Sequence, residues 1–278
     1  MKDKTAAANA PILVTGGTGT LGSLVVARLL NAGHQVRVLS RGRLAAHLGE
    51  TEHVSADLMT GYGVDSALTD VQVVIHLAGS AKGDEVKARN LVDSATRAGA
   101  RHLVYISVVG DEAIPVTSAV DRAMFGYFAS KREAEQAVIE SGVPWTVLHA
   151  TQFFDLTFKT IEVLARLPII PVPAGFSFQP IDSGEVADRL VDLALGDPAG
   201  RVGDMGGPRA YEMADLVGSY LRATGRRRLI VSVPVIGGAA AAIRAGANLA
   251  PSHAVGRRTW EDFLRARLSR GAEAIPVT

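Results

Sequence analysis

Short apolar runs alternate with segments of helical spacing through the first half of the chain. The apolar runs are "PILVTG", "HQVRVLS", "EHVSAD", "VQVVIHLAG", "RHLVYIS" and "WTVLHA". Nearly continuous apolar runs are typical of parallel strands that are covered on both faces. Between them, segments such as "TLGSLVVARLLNAG" and "EVKARNLVDSATRAG" have the spacing of amphipathic helices. This alternation predicts an α/β fold with a doubly wound, Rossmann-like parallel sheet.

The alternation becomes less regular after about residue 150. A helix is predicted from about Met124 to Glu140, and another over 153–167. The segment "PIIPVPAGFSFQP" contains prolines that cannot continue a helix, so we expect a loop and a strand there. "SGEVADRLVDLAL" and "YEMADLVGSYLRATG" predict helices, and "RLIVSVPV" a strand. We expect a flexible tail over 1–10 and a single domain over 11–278, with a small C-terminal lobe mainly from 151–180 and 208–278 that covers the substrate.

Composition narrows the class of protein. The 278 residues carry a formal net charge of +1, include no cysteine, and are 47% hydrophobic. Such a chain has no disulfide framework, no thiolate metal site and no basic footprint for nucleic acid. We find no signal-peptide pattern and no apolar run long enough to span a membrane. The expectation is a cytoplasmic protein that acts on a small molecule, without a nucleic-acid or membrane partner, as a monomer or a homodimer.

A glycine-rich turn directly follows the first predicted strand. In "VTGGTGTLG", Gly16 permits a tight turn, Gly19 lets the backbone approach a pyrophosphate, and Gly22 lets the helix pack closely on the strand. The helix N-terminus adds partial positive charge. A glycine-rich turn without a ligand is the alternative. The candidate cofactor residues of this turn are Gly16, Thr18, Gly19, Thr20, Leu21 and Gly22.

The end of the second predicted strand bears on the choice of dinucleotide. An NAD site usually has Asp or Glu there, to accept hydrogen bonds from the ribose hydroxyls. This chain instead has Ser40 and Arg41, then Arg43, with no carboxylate before Glu50. A guanidinium can bind a 2′-phosphate, so NADP(H) is favoured over NAD(H). The alternative is that both arginines are solvated loop charges.

Two further strand ends are candidates for cofactor contact. Asp57 ends the third predicted strand and Leu58 comes next; Asp57 could meet the adenine edge or simply cap a turn. Ala78 and Gly79 follow the fourth strand, and their small size would let the backbone pass close to the second ribose of the cofactor.

The stretch "YFASK" places Tyr127 and Lys131 one helical turn apart. Residues at i and i+4 share a helix face, and Lys131 lies on an otherwise apolar stripe with Ala134 and Val138. A phenol has a pKa near 10, and a neighbouring ammonium would lower it toward working pH. Tyr127 could then donate a proton to a carbonyl oxygen as hydride arrives at the carbon, while Lys131 binds the nicotinamide ribose. Ser107, which ends the strand "LVYIS", could polarise the same oxygen or be an ordinary strand-end serine.

Together, "TGGTGTLG", "LSR", "YIS" and "YFASK" resemble the atypical short-chain dehydrogenase/reductases, close to the NmrA-like and NAD(P)H-binding groups. The resemblance implies a catalytic triad of Ser107, Tyr127 and Lys131. It does not imply a particular reaction, because some relatives only sense nucleotide. His149 stands where many relatives have an arginine, as a substrate contact or as a hydrogen-bonded strand-end histidine.

Aromatic and amide side chains cluster along the sequence after the sixth strand. Apolar walls with a few amides suit a hydrophobic or aromatic ketone or quinone, although each phenylalanine could equally be core. We therefore expect an NADP(H)-dependent oxidoreductase, with no metal site. The alternatives are a non-catalytic NAD(P) sensor or interaction protein, and an NAD-using epimerase or dehydratase. The candidate substrate residues are His149, Gln152, Phe153, Phe154, Phe176 and Phe178.

Overall fold

Seven parallel strands form the central sheet of the protein. The computed structural model describes residues 10–42, 50–80 and 83–273. The order across the sheet is β3-β2-β1-β4-β5-β6-β9, which is the doubly wound order, so the predicted Rossmann-like fold is confirmed. The strands are β1 Ile12–Thr15, β2 Val36–Ser40, β3 Glu52–Ser55, β4 Val73–His76, β5 His102–Val108, β6 Trp145–Ala150 and β9 Gly200–Arg201.

Helices cover both faces of this sheet. On one face α1 packs against α6, and on the other α3 packs against α4. Two separate apolar clusters fill the spaces between the helices and the strands, which explains why the strands read as continuous apolar runs. The helices of the domain are α1 Thr20–Asn31, α2 Val64–Ala67, α3 Asp84–Ala98, α4 Ala119–Ile139, α5 Phe154–Leu164 and α6 Ser183–Leu195.

The strand order reverses between β1 and β4, with β2 and β3 on one side and β5 and β6 on the other. These neighbours pair in register from Ile12 with Val73 to Thr15 with His76. Their following loops run to opposite sides, which opens a crevice at the carboxyl edge of the sheet. The carboxyl ends of β2, β3 and β5 meet at the same edge.

Helix α4 begins earlier than predicted. The sequence pattern suggests a start near Met124, but the helix begins at Ala119 because Ser118 caps it. The Ser118 hydroxyl accepts a hydrogen bond from the Asp121 backbone N–H at 3.0 Å, and the Asp121 carboxylate accepts one from the Ser118 N–H at 3.1 Å. This reciprocal capping box adds a turn and a half to the helix that carries Tyr127.

The C-terminal part has a small apolar core of its own, in which Phe154, Phe263 and the fully buried Trp260 pack together. Two short sheets pair β7 with β11 and β8 with β10. Whether this part covers a substrate stays a prediction. Its elements are β7 Ile169–Pro173, β8 Ser177–Phe178, β10 Tyr211–Glu212, α7 Met213–Ala223, β11 Leu229–Val233, α8 Gly238–Arg244, a 3₁₀ turn Pro251–His253 and α9 Trp260–Glu273.

None of the helices in the described ranges combines the length and the apolar character needed to cross a bilayer.

Candidate functional site

The glycine turn brings three backbone segments into close contact. Gly16 has φ +70°, and a Cβ there would lie 2.8 Å from the backbone nitrogen of Ala78. A Cβ on Gly22 would lie 2.1 Å from the Gly16 carbonyl oxygen. Helix α1 starts directly after Gly19, which provides no side-chain cap for its first N–H groups. A turn this tight, with free N–H groups beside it, fits the phosphates of a dinucleotide.

A crevice runs along the carboxyl edge from this turn. It is lined by nine of the residues predicted to contact a cofactor: Gly16, Thr18, Gly19, Ser40, Arg41, Asp57, Leu58, Ala78 and Gly79. Leu39, Ala56, Met59, Leu77, Ser80 and Lys87 complete the wall. The structure places Thr20, Leu21 and Gly22 in the first turn of α1, outside this lining. Gly22 contributes indirectly: because it has no side chain, the Gly16 backbone can pack directly against α1.

The adenosine end of the crevice is built from the ends of β2 and β3. The Ser40 hydroxyl donates to the Gly42 carbonyl at 2.9 Å and lies 2.8 Å from Nε2 of His53. Arg41 follows as an exposed side chain on the crevice wall. Asp57 accepts a hydrogen bond from the Met59 N–H at 2.9 Å, so it caps a turn. Arg43 lies outside the described residues.

At the other end of the crevice, Lys131 is buried below Gly79. Its ammonium lies 3.3 Å from Oδ2 of Asp84 and 3.4 Å from both the Tyr105 hydroxyl and the Ile106 carbonyl oxygen. A Cβ on Gly79, which lines the crevice, would lie 3.3 Å from the ammonium, so Lys131 lies directly behind this glycine. Burial lowers the pKa of Lys131, and Asp84 opposes that shift.

Tyr127 lies on the same face of α4 as Lys131, with the ammonium 5.9 Å from the centre of its ring. The side chain is 39% exposed, so its surface is open to a ligand. The expected direction of its pKa shift is wrong. Partial burial and the negative charges of Asp84 and Asp111 raise the pKa of Tyr127, because Asp84 offsets the positive charge of Lys131. Tyr127 is therefore a neutral phenol at neutral pH in this structure.

Ser107 belongs to a buried polar cluster. Its hydroxyl donates to Oδ2 of Asp111 at 3.1 Å. His149, its neighbour on β6, has Nε2 2.8 Å from Oε2 of Glu135 and 3.8 Å from Oδ1 of Asp111. The other oxygen of Glu135 accepts a hydrogen bond from Arg201. His149 is only 4% exposed, so the structure corrects its assignment as a substrate contact: it is a hydrogen-bonded strand-end histidine.

The charges in this cluster depend on one another. Burial, and then the charge of Glu135, raise the pKa of Asp111 to about 6. Burial alone would favour the neutral forms of Glu135 and His149. The hydrogen bond and charge interaction between them prevail, which lowers the pKa of Glu135 to about 2 and raises that of His149.

The same three residues offer ligand atoms within 4.8 Å of one another, a grouping that the sequence spacing does not show. Two of these atoms, on His149 and Glu135, hydrogen-bond each other, and Arg201 holds the second Glu135 oxygen. We therefore treat the cluster as a hydrogen-bonded network. The absence of a metal site stays a prediction.

The candidate substrate residues divide into two groups. Phe154 is fully buried between Trp260 and Phe263, and Phe176 is 4% exposed against Phe125, so both are core residues and their assignment to the substrate is corrected. Gln152, Phe153 and Phe178 are half-buried. Both ends of the Gln152 side-chain amide hydrogen-bond to backbone groups. Its Oε1 accepts from the Gln179 N–H at 3.3 Å, and its Nε2 donates to the Asn248 carbonyl at 3.4 Å.

Four site residues escaped the sequence analysis: Asp84, Tyr105, Asp111 and Glu135. Glu135 stands four residues after Lys131, so the helical spacing that groups Tyr127 with Lys131 also predicts it on that face. Asp84, Tyr105 and Asp111 come from other elements and gave no comparable signal.

The model of the NAD(P)H-binding family matches residues 16–194, which is more than half of the chain and includes the glycine turn, the crevice and α4. The chain belongs to the NAD(P)H-binding family. The resemblance to the atypical short-chain dehydrogenase/reductases is confirmed, and the protein is an NAD(P)H-binding protein of the oxidoreductase type.

Proteins that are similar in sequence to this chain have different functions. A (4-alkanoyl-5-oxo-2,5-dihydrofuran-3-yl)methyl phosphate reductase of Streptomyces griseus is 30% identical over 219 residues, covering 77% of this chain and 74% of the relative. The photosystem II assembly factor Ycf39 of Cyanophora paradoxa is 26% identical over 238 residues, covering 81% and 72%.

Among solved structures, the NADPH-dependent quinone oxidoreductase QOR2 of Escherichia coli in complex with NADPH has a TM-score of 0.75. It is 16% identical and covers 92% of this chain and 99% of that one. At this identity, the likeness shows the fold alone.

Proposed function

We propose that this protein is an NADPH-dependent reductase that transfers hydride to a carbonyl or quinone of a hydrophobic or aromatic small molecule. One observation carries the proposal: the Lys131 ammonium is buried between Gly79, on the crevice, and the ring of Tyr127, which is open to a ligand. A cofactor ribose at Gly79 and a substrate oxygen at Tyr127 would be adjacent.

The residues present fit a dinucleotide, because a single methyl group at Gly16 or Gly22 would collide with backbone that forms the phosphate turn. When bound, NADPH supplies the hydride. Lys131 orients the nicotinamide ribose through hydrogen bonds, and Ser107 orients the substrate oxygen. Tyr127 donates its phenolic proton to that oxygen. Its raised pKa keeps the phenol protonated and able to donate a hydrogen bond to that oxygen, but it also makes Tyr127 a weaker acid than a free phenol.

The preference for NADPH over NADH is supported by Ser40 and Arg41. An exposed guanidinium on the crevice wall, with no carboxylate at residues 40–42, favours a 2′-phosphate and offers no acceptor to a free ribose diol. The same feature disfavours an NAD-using epimerase or dehydratase.

The substrate class is supported by an exposed apolar stripe on α4. Val120, Met124 and Tyr127 lie at i, i+4 and i+7 and are 49%, 55% and 39% exposed. Phe178 is half-buried and packs against the cluster that contains Phe125 of the same helix and Phe176. Surface of this kind, leading to one polar group, suits a hydrophobic ketone or quinone.

A non-catalytic sensor or interaction protein is the second candidate. It is favoured by the similarity to Ycf39, which is named as an assembly factor, and by the charge of Asp84, which offsets that of Lys131 beside Tyr127.

A binding titration and an activity screen separate the two candidates. NADPH and NADH are first titrated against the purified protein, and NADPH oxidation is then followed over a panel of aromatic ketones and quinones. The reductase proposal expects tighter binding of NADPH and turnover of at least one compound. Tight NADPH binding without turnover on any compound would favour the sensor, and preferential NADH binding would remove the argument from Arg41.

A further inference from the structure

A buried group of ionisable side chains adjoins Ser107. Asp111, Glu135 and His149 come from the loop after β5, from α4 and from β6, and they are 3%, 2% and 4% exposed. Burying charged groups costs free energy unless they are paired. Three buried ionisable side chains beside a reaction centre therefore point to a function for the cluster. The proposed triad of Ser107, Tyr127 and Lys131 does not use these three side chains.

We propose that this cluster is a proton relay, which takes up protons at the surface near Asp204 and delivers them through Asp111 and Ser107 to the pocket of Tyr127. The inference rests on the proposed reductase function. Each reduction of a carbonyl or quinone consumes one proton with each hydride, so Tyr127 must be reprotonated in every turnover. A bound substrate covers the exposed side of Tyr127, and the relay reaches the pocket from inside the protein.

The contacts trace a route from the surface to Ser107 that has two gaps longer than a hydrogen bond. Asp204, with a side chain 36% exposed, has Oδ1 3.7 Å from Nδ1 of His149. That nitrogen is buried and has no hydrogen-bond partner among the described residues. Nε2 of His149 lies 3.8 Å from Oδ1 of Asp111, whose Oδ2 accepts the Ser107 hydrogen bond at 3.1 Å. The two longer gaps exceed a hydrogen bond by less than about 1 Å, which a small side-chain movement closes.

Beyond Ser107, the route leads toward the Tyr105 hydroxyl and the Lys131 pocket, on which the ring of Tyr127 lies. The negative charge of Asp111 also contributes to the raised pKa values of Tyr127 and Tyr105, after burial and Asp84. Tyr105 is two residues before Ser107 on the same face of β5, and its hydroxyl contacts Lys131 at 3.4 Å. Ser107 therefore lies between the cluster and the Lys131 pocket.

Each step moves one proton and no electrons. After Tyr127 has given its proton to the substrate oxygen, the phenolate takes the Ser107 proton, and Ser107 takes one from the Asp111 carboxyl group. Asp111 regains a proton from Nε2 of the neutral His149 ring in the same step in which Nδ1 takes one from water through Asp204, so the ring stays neutral, and exchange between its two tautomers restores the Nε2–H form. A ring with two nitrogens can accept on one side and donate on the other.

The charged groups around the cluster suit this exchange. Glu135 on α4 and Arg201 on β9 form a fixed pair against Nε2 of His149, and Glu112 binds the outer side of Arg201 at 2.8 and 3.0 Å. With its pKa raised to about 6, Asp111 can both hold and release a proton near neutral pH, whereas Glu135 stays ionised.

The first test measures proton storage without any turnover. The titration of His149 is followed by nuclear magnetic resonance of isotope-labelled imidazoles in the wild type, in Glu135→Gln and in Asp111→Asn, with His149→Gln to assign the signal. The relay expects the His149 midpoint to fall by about one pH unit or more in Glu135→Gln. A midpoint that neither variant moves would overturn the relay.

The second test measures proton delivery, with a substrate found in the activity screen. His149→Gln and Asp111→Asn are expected to lower kcat about tenfold or more and to change its pH profile, with KM and the NADPH Kd within about twofold of the wild type. Asp204→Asn, at the exposed end, is expected to lower kcat in the same direction, and it provides the test if a buried variant fails to fold. His34→Gln, at the opposite edge of the sheet, is the matched histidine control.

The outcomes separate this inference from the proposed function. Wild-type turnover that Tyr127→Phe abolishes, but that keeps its pH profile in the folded cluster variants, overturns the relay alone. A wild type that binds NADPH and reduces no compound overturns the reductase proposal, and delivery of protons to Tyr127 with it.

Discussion

The ion pair between Asp84 and Lys131 provides a quantitative test of the site. Asp84 is fully buried, and its Oδ2 lies 3.3 Å from the ammonium of Lys131. Asp84→Asn keeps the shape and an acceptor for the Ser80 N–H, which donates to Oδ1 at 2.7 Å, but it removes the charge. At 3.3 Å, and with an effective dielectric constant of about 20, the attraction lost is about 5 kcal/mol.

The destabilisation caused by Asp84→Asn has an upper limit that depends on pH, because the unpaired Lys131 can become neutral by losing its proton. From the ordinary lysine pKa of 10.5, this deprotonation costs about 1.4 kcal/mol for each pH unit, hence about 5 kcal/mol at pH 7 and about 2 kcal/mol at pH 9. In the variant the folded pKa of Lys131 falls further below its unfolded value, so the unfolded chain binds more protons. Its stability relative to the wild type therefore increases from pH 7 to pH 9.

The assay is urea unfolding of both proteins at pH 7, 8 and 9. We expect Asp84→Asn to lose about 3–5 kcal/mol at pH 7 and no more than about 2 kcal/mol at pH 9. The double variant Asp84→Asn/Lys131→Met should recover much of the loss, and Asp65→Asn, in an exposed pair with Arg97, should show little change. A loss below about 1 kcal/mol at pH 7, or one that does not vary with pH, would refute the buried pair.

Three further changes test other parts of the account. Gly22→Ala should destabilise the protein by about 1–3 kcal/mol in urea unfolding and abolish dinucleotide binding, whereas Gly42→Ala, with nothing within 4 Å of its Cβ, should do neither; equal effects would remove the packing argument. Arg41→Ala should raise the NADPH Kd about tenfold or more in a fluorescence titration and leave that of NADH unchanged; a parallel loss for both would contradict a role at the 2′-phosphate. Gly126→Ala, inside α4 and free of contacts, should stabilise the fold by about 0.5–1 kcal/mol, and a lower melting temperature would show that the glycine is needed there.

Local sequence was enough to predict the sheet and the phosphate turn. Strands buried on both faces must be apolar throughout, so "WTVLHA" coincides with β6. The collision at Gly22 is likewise local, since it involves Gly16, but the collision at Gly16 is with Leu77 and Ala78 after the neighbouring strand β4. The start of α4 was missed because its cap uses Asp121 at the position where the capping box usually has Glu or Gln.

The electrostatics of the site could not be predicted from the motif. The pair Tyr127–Lys131 suggested a lowered phenol pKa, but Asp84, 47 residues before Lys131 in the sequence, comes to lie beside the ammonium and offsets its charge. His149 similarly gained its partners Glu135 and Asp111 only through folding. Convergence of side chains from separate elements is a tertiary property, which periodicity and spacing do not encode.

The most direct test of the central claim is the rate of hydride transfer in a single turnover. Preformed complexes of NADPH with the wild type and with Tyr127→Phe are mixed in a stopped-flow instrument with a ketone or quinone found in the activity screen. We expect transfer to slow about 100-fold or more in Tyr127→Phe while the NADPH Kd is unchanged. Equal rates in the two proteins would contradict the assignment of Tyr127 as the proton donor.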